Sequence, residues 1–247
     1  VAPPPIRPQA PPPEISGGVG PGDYWAVGET TAELVRELAH LRRSDRILDI
    51  GCGAGRIAWP LSLRLGRRGR YVGFDIVRPY VEWCRDHLHL DPERFSFEHY
   101  PLQSSAYSAA GQTMPESFRF PWREQSFDLA IATSLFTHLL PAATEHYLAE
   151  TRRVLQRKGR IFTSFFLVDG GSIGAIESAV TYPVFTKRTD WGWLQDPAIP
   201  EDGVAFNRGW LEERLARSGF QDVRIHEGSW RGPSTRYYQD LVIARAR

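Results

Sequence analysis

Lysine and cysteine are almost missing from this chain of 247 residues. Only Lys158 and Lys187 are lysines among 30 basic residues, a skew that follows arginine codons in a GC-rich genome and carries no functional weight. Their surroundings still exclude two nucleotide-binding patterns. A P-loop needs glycine directly before its lysine and serine or threonine directly after, and neither lysine has that context. Where a short-chain dehydrogenase carries a tyrosine four residues before its lysine, this chain has Val154 and Pro183. The two cysteines, Cys52 and Cys84, make neither a disulfide framework nor a CxxC pair, so a reducing, cytoplasmic setting is expected. Cys84, His87 and His89 lie close in sequence, but on a helix His89 points away from the other two. They read as an ordinary helix face, and no metal is expected. There is no run of eighteen apolar residues and no basic-then-apolar leader, so no membrane partner is expected. Thirty basic residues against 29 acidic ones leave a net charge of +1, without the excess that tracks phosphates, and no nucleic-acid partner is expected.

What is present suits one large core, with 42% hydrophobic and 12% aromatic residues. Eight of the 19 prolines fall in residues 1–21, with almost no aliphatic side chains, so residues 1–22 are expected to form a disordered or extended arm. From Gly28, the run GETTAELVRELAHL sets Leu34, Val35, Leu38 and Leu41 on one stripe, which predicts an amphipathic helix capped by Thr30. Beyond it, apolar runs at 46–50, 70–74, 95–99, 127–133 and 159–168 alternate with helical segments from about Arg56, over 79–90 and over 141–155. That rhythm predicts parallel βαβ crossovers and a sheet covered by helices on both faces. Residues 169–206 break the rhythm and read as an insertion over the carboxyl edge of the sheet, where substrate contacts gather. A helix over 207–218 then precedes two closing strands, 220–228 and 239–246, expected to pair antiparallel.

The densest signal is ILDIGCGAGR at 47–56, an apolar strand followed by Gly51, Gly53 and Gly55 in a turn. Glycines let the backbone turn tightly and bring a ligand against main-chain atoms. The next strand ends at Asp75, 24 residues beyond Gly51, where a carboxylate can accept hydrogen bonds from both hydroxyls of a ribose. A pyrophosphate-binding turn carries a further glycine where this chain has Arg56. S-adenosylmethionine has no phosphate and carries a sulfonium and an amino group, which an acid such as Asp49 suits.

With these residues the chain resembles the class I S-adenosylmethionine-dependent methyltransferases over roughly residues 23–247. ILDIGCGAGR is similar to their first motif, VGFD to their ribose-binding acid, FDLAIATSLFTHLLP to their fourth strand and its turn, and RVLQRKGRIFTSFF to their fifth strand with its preceding helix. The resemblance implies an α/β, Rossmann-like sheet of seven mostly parallel strands, helices on both faces and an antiparallel last strand. It places the cofactor, S-adenosyl-L-methionine, over the carboxyl ends of the first, second and fourth strands. Asp49, Gly51, Cys52, Gly53, Asp75 and Ile76 are expected to hold it, with Thr133 and Ser134 flanking it. GDYWAVG, FTHLLP, FFLVD and GSWRGPSTRYYQD are similar to a bacterial subgroup associated with small molecules and saccharides. Relatives often carry an acid after the third strand to meet adenine, but Pro101 stands near that place here. A backbone contact near Tyr100 or Leu102 is expected to replace it.

Methyl transfer needs an aligned nucleophile and a dry site more than a large catalytic apparatus. If the acceptor is a hydroxyl, a base must take its proton, and His138, just past the fourth strand, is the candidate. Asp169 at the end of the fifth strand is expected to orient that histidine or bind the acceptor. Tyr24 and Trp25 are expected to close over the cofactor, and Trp25, Trp191, Trp193 and Trp230 to face a small-molecule acceptor. Asp240 is expected to make a structural hydrogen bond. Two other readings compete. Gly170–Gly174 spell GxSxG after an apolar strand, the context of a serine hydrolase, with Asp190, Asp196 or Asp202 and then His226 in the matching order. A catalytically silent scaffold that keeps the cofactor fold is the other.

Overall fold

The computed structural model describes residues 7–17, 22–232 and 235–247. Five parallel strands form the heart of the sheet: β1 (Arg46–Ile50), β2 (Arg70–Asp75), β3 (Phe95–His99), β4 (Phe127–Ala132) and β5 (Leu155–Val168), in the order β3-β2-β1-β4-β5. Three further strands come from the expected insertion: β6 (Lys187–Arg188), β7 (Gly192–Leu194) and β8 (Val204–Asn207). The chain closes with β9 (Phe220–His226) and β10 (Asp240–Ala246). β10 runs antiparallel to both β5 and β9, which completes the seven strands expected from the sequence.

The sheet differs from that expectation by having ten strands. β8 pairs in parallel with Phe166–Val168 at the far end of β5, and β7 and β6 follow antiparallel. Strands of two to four residues are too short to display alternation, so residues 169–206 carried no periodic signal.

Each central strand is buried on both faces, and its residues divide between two cores. Leu48, Ile50, Ala130, Ile161 and Phe165 face one core, while Ile47, Tyr71, Leu129, Ile131 and Phe162 face the other. The first core is closed by α5 (Pro141–Val154) and the helix Arg208–Arg217 through Tyr147, Leu148, Leu211 and Leu215. The second is closed by α2 (Tyr24–Leu38), α3 (Ala58–Ser62) and α4 (Arg78–His87) through Val35, Leu61, Val81 and Cys84. Helices therefore cover both faces, which is why the strands read as near-continuous apolar runs.

The front of the chain differs in two ways. α2 begins earlier than the apolar stripe predicts, because Asp23 rather than Thr30 caps it, its carboxylate accepting the Ala26 N–H at 2.7 Å. Thr30 lies in mid-helix instead. Of the expected arm, residues 1–6 and 18–21 lie outside the described residues. Within 7–17 there is one helical turn, α1 (Pro13–Ser16), whose Ile15 packs against the second core.

The seam between β5 and β10 is tied by one buried acid. Asp240, fully buried, accepts N–H groups from Leu167 at 2.8 Å, Gly228 at 2.8 Å and the Trp230 indole at 2.7 Å, and pairs with Arg231 at 3.0 Å. Removing it would leave three donors and a buried guanidinium short of an acceptor, the costly way to break such a network. Asp240→Ala should therefore lower the unfolding free energy by about 3 kcal/mol, read from the midpoint of urea unfolding at constant slope.

Candidate functional site

A crevice of about 970 Å³ opens over the carboxyl ends of β1, β2 and β4. At its floor lies the glycine turn, with Gly51, Gly53 and Gly55 at φ of 73°, 54° and 80°, the left-handed region that side chains disfavour. The turn is clipped to β2: the Gly51 and Cys52 N–H groups both donate to the Phe74 carbonyl, at 2.9 and 3.0 Å. The Gly53 N–H donates to Asp75 Oδ2 at 2.8 Å, and the Val77 N–H to Asp75 Oδ1 at 2.9 Å. Each oxygen of Asp75 keeps acceptor capacity toward the crevice that it lines. Burial pushes this carboxyl up, and the Val77 and Gly53 N–H groups oppose the shift.

Asp49 lies beside it at the end of β1. Its Oδ2 accepts the Tyr71 hydroxyl, while Oδ1 is buried without any partner. Burial pushes the Asp49 carboxyl up to about 7, against the Tyr71 hydrogen bond and with help from the charge of Asp75. An orphaned carboxylate oxygen at the floor of a crevice calls for a cation or donor and repels a phosphate. The same crevice holds Arg56, which has no ion-pair partner among the described residues and whose guanidinium is pulled down by burial. A ligand that bears a positive charge, a carboxylate and a ribose fits this donor set, as S-adenosylmethionine does.

The expected cofactor contacts Asp49, Gly51, Cys52, Gly53, Asp75, Ile76, Leu102, Thr133 and Ser134 all line the crevice. Tyr24 does not. It is buried, and its hydroxyl donates to the Ala54 carbonyl at 2.7 Å, which ties α2 to the back of the glycine turn. Gly28 permits that approach, because a Cβ there would stand 2.1 Å from the Arg56 carbonyl oxygen. α2 then contributes Val27, Thr30, Thr31 and Leu34 to the crevice wall.

The tryptophans expected around an acceptor are core residues. Trp25 packs on Tyr24 and Trp59, and Trp191 on Phe206. Trp193 and Trp230 join a small cluster with Phe166 and Phe185 behind β5. None of the four lines the crevice. Its outer wall is built by tyrosines that composition did not single out, Tyr107, Tyr182, Tyr237 and Tyr238, together with Gln103, Gln195 and Gln239. Gln239 accepts the hydroxyls of Ser134 at 3.1 Å and Ser164 at 2.5 Å, which joins the ends of β4 and β5 to the start of β10.

His138 sits in a 3-10 turn, Phe136–His138, after β4 and lines the crevice. Its Nδ1 lies 2.9 Å from the Glu201 carbonyl and its Nε2 3.2 Å from the Tyr107 hydroxyl. A carbonyl only accepts, so Nδ1 carries the proton and Nε2 presents a lone pair. Burial holds the imidazole below its ordinary value, against the Glu201 carbonyl and the charges of Asp202 and Glu201. Asp169 does not orient it. That carboxylate pairs with Arg231 at 3.0 Å and accepts the Gly171 N–H at 2.9 Å, closing the turn after β5 outside the crevice. The orienting group is instead a main-chain carbonyl of the insertion, which no side-chain pattern announces.

The hydrolase reading fails on geometry. Ser172 is fully buried, and its Oγ bonds within its own turn, accepting the Asp169 N–H at 3.0 Å and donating to the Leu167 carbonyl at 3.3 Å. A nucleophile must be exposed beside a base. Cys84, His87 and His89 do not converge either: the Cys84 thiol donates to the Gly53 carbonyl at 3.5 Å, and His87 stacks on Trp83. Among the described residues no group of three or more His, Cys, Asp or Glu side chains is arranged to hold a metal, and no helix is long and apolar enough to cross a membrane.

Comparison with known proteins agrees with the geometry. Residues 48–163 match the family described as a methyltransferase domain. The chain is 28% identical over 141 residues to the arsenite methyltransferase of Mus musculus, covering 57% of this chain and 34% of that protein. It is 28% identical over 120 residues to a 23S rRNA (uracil(1939)-C(5))-methyltransferase of Acinetobacter baumannii, covering 47% of this chain and 24% of that one. It thus spans about a third or less of the length of these curated relatives. Among solved structures, a SAM-dependent methyltransferase of Methanosarcina mazei superposes with a TM-score of 0.57 at 20% identity, over 85% of this chain and 97% of the other.

The Asp49 carboxyl, protonated in the fold up to about pH 7 but ionising near pH 4 in an unfolded chain, gives a signed pH dependence. An acid raised on folding stabilises the ligand-free protein fully below its unfolded value and loses that contribution as pH rises toward its folded one. Between pH 5 and pH 8 the melting temperature of the wild type should therefore fall relative to that of Asp49→Asn. Parallel curves by differential scanning calorimetry would remove the assignment.

Proposed function

We propose that this chain, a class I S-adenosylmethionine-dependent methyltransferase by the domain that residues 48–163 belong to, methylates a hydroxyl of a small molecule such as a saccharide or secondary metabolite. An amine is the second choice of acceptor. The observation that carries the reading is His138, which lines the same crevice as the glycine turn and Asp75 with its Nδ1–H on the Glu201 carbonyl and its Nε2 lone pair on an exchangeable hydroxyl. We read residues 23–247 as the methyltransferase domain with residues 169–206 as its insertion, and the setting as cytoplasmic, in keeping with two free thiols.

When bound, S-adenosylmethionine supplies a methyl group activated by its sulfonium. The residues of the chain do the rest. Asp75 accepts the ribose hydroxyls with the lone pairs that Gly53 and Val77 leave free. Asp49 Oδ1, ionised, meets the positively charged end of the ligand, and Arg56 takes its carboxylate. Leu102 and the backbone near Tyr100 lie against the adenine in place of an acid. Thr133 and Ser134 border the reacting end, held by the Ser134 N–H bond to Ser164 Oγ at 2.8 Å. His138 takes the proton of the acceptor hydroxyl on Nε2, while the Glu201 carbonyl stabilises the imidazolium through Nδ1–H. The outer wall of tyrosines and glutamines offers flat apolar faces and neutral hydrogen-bonding groups, which suit an uncharged, hydroxyl-bearing acceptor. Among the described residues Arg56 and Arg236 are the basic side chains that line the crevice, fewer than a track along a phosphate backbone would use.

Two measurements test this. In titration calorimetry, Asp75→Ala should weaken S-adenosylmethionine binding by more than about tenfold, the worth of hydrogen bonds to a charged group. An unchanged affinity would remove the ribose contact. Mass spectrometry of a metabolite extract incubated with enzyme and isotopically labelled methyl donor should reveal a labelled product. His138→Ala should then cut turnover about a hundredfold or more, the usual share of a positioned base, with S-adenosylhomocysteine affinity intact. Because burial lowers this imidazole, the acid limb of the rate profile should lie below pH 6.5. Cofactor binding without turnover on any acceptor would favour the silent scaffold.

A further inference from the structure

The lone pair that makes His138 useful as a base is already occupied. Tyr107, in the loop that follows β3, donates its hydroxyl to Nε2 at 3.2 Å, with its ring edge-on to the imidazole at 5.1 Å and 85°. Yet Tyr107 is 41% exposed and belongs to no helix or strand, so packing alone does not hold it there. What holds it is Glu201. The Glu201 carboxylate accepts the Ser104 hydroxyl at 3.0 Å, the Ser105 hydroxyl at 2.8 Å and the Ser105 N–H, two and three residues before Tyr107. The carbonyl of the same residue accepts Nδ1–H of His138. One residue of the insertion therefore orients the base through its main chain and ties down, through its side chain, the loop that covers the base.

We propose that Tyr107 is a gating residue, a phenol of the chain itself that sits on His138 in the place of the acceptor hydroxyl, latched there by Glu201 until an acceptor displaces it. Tyr107 lines the crevice together with Asp75, Tyr80 and Asp202, so its ring stands in the space that a ligand on His138 would enter. An acceptor that reaches Nε2 must bring a hydroxyl of its own to replace the one it removes. An aliphatic chain without a donor would leave the lone pair bare and does not compete. The gate thus selects for hydroxyl-bearing acceptors before any chemistry occurs, and keeps the base covered when none is present. This rests on the reading of His138 as the base, but the contact can be tested without an acceptor and without turnover.

The test is the titration of His138, followed by proton NMR of its imidazole Cε1–H and assigned with His138→Gln. The charged groups facing the ring are Glu201 and Asp202, and Tyr107 is the other titratable group against it. A phenol donates more strongly than it accepts, so its bond to Nε2 favours the neutral imidazole over the imidazolium, and Tyr107→Phe should raise the midpoint by about 0.5 to 1 pH unit, at most the worth of one hydrogen bond. Glu201→Gln confounds latch and charge, so the latch is tested with Ser105→Ala, which keeps both charges and should raise the midpoint in the same direction by less. Free phenol at millimolar concentration, added to Tyr107→Ala, should enter the vacated place and bring the midpoint back down, with at least a severalfold weaker effect on the wild type. A midpoint that is unchanged or lower in Tyr107→Phe overturns the proposal, as does equal binding of phenol to both proteins. If the NMR results are as expected but His138→Ala turns over normally, the contact stands and the base assignment falls, so the two failures are told apart.

Discussion

Two carboxylates buried side by side at the ends of neighbouring parallel strands are the constraint on which the rest of this structure turns. Asp49 and Asp75 could have been neutralised by basic partners, as Asp45 is by Arg160 and Asp169 by Arg231. Instead their compensation comes from backbone N–H groups and one tyrosine hydroxyl, and it is incomplete, because one oxygen of Asp49 has no partner at all. Burying charge in this way costs stability in the free protein, and a cationic ligand that bears hydroxyl groups recovers the cost. The glycine turn follows from the same arrangement. Asp75 can accept the Gly53 N–H only if the chain doubles back tightly after β1, and it does so with left-handed glycines at three alternate positions.

The aromatic residues divide the work in a way that their type alone does not reveal. Tryptophans pack into the cores, where a large rigid side chain covers most apolar area; the Trp230 N–H meets Asp240 there, while those of Trp25 and Trp83 are buried without a partner. Tyrosines face the crevice, where a hydroxyl at the tip of an apolar ring can remain in water or meet a polar partner. Of the three outside the crevice, Tyr24 and Tyr71 support the site from behind, one holding α2 to the turn and the other holding Asp49 in place, and Tyr100 packs on Phe74 and Phe118.

The end of the crevice around His138 is assembled by segments far apart in sequence. His138 comes from the turn after β4, Tyr107 from the loop after β3 and Glu201 from the insertion, and the three meet through two hydrogen bonds to one imidazole. The short strands β6 to β8 pair residues 187–207 with one another and with β5, which fixes the place of the carbonyl that meets the histidine. β8 continues the hydrogen bonding of β5 beyond the end of β4, so residue 201 is anchored to the main sheet three residues before β8 begins.

The order of strands and helices, the glycine turn and the acid at the end of β2 were legible because each leaves a local mark: period, apolar run, or a residue type demanded by backbone conformation. Those marks are properties of neighbouring residues, and the first 170 residues or so declare them plainly. The cap at Asp23 was missed because the apolar stripe starts a turn later, and the three short strands because two to four residues cannot show alternation. The partners of Asp169, Ser172 and the tryptophans were decided only by folding. Whether a carboxylate meets Arg231 or His138, or an indole meets Asp240 or a ligand, depends on which distant strand lies beside it, and side-chain chemistry permits either. Arg56, Tyr107 and Glu201 belong to the same class, since a cation, a phenol and a carbonyl acquire a role only when tertiary contact leaves them facing one crevice.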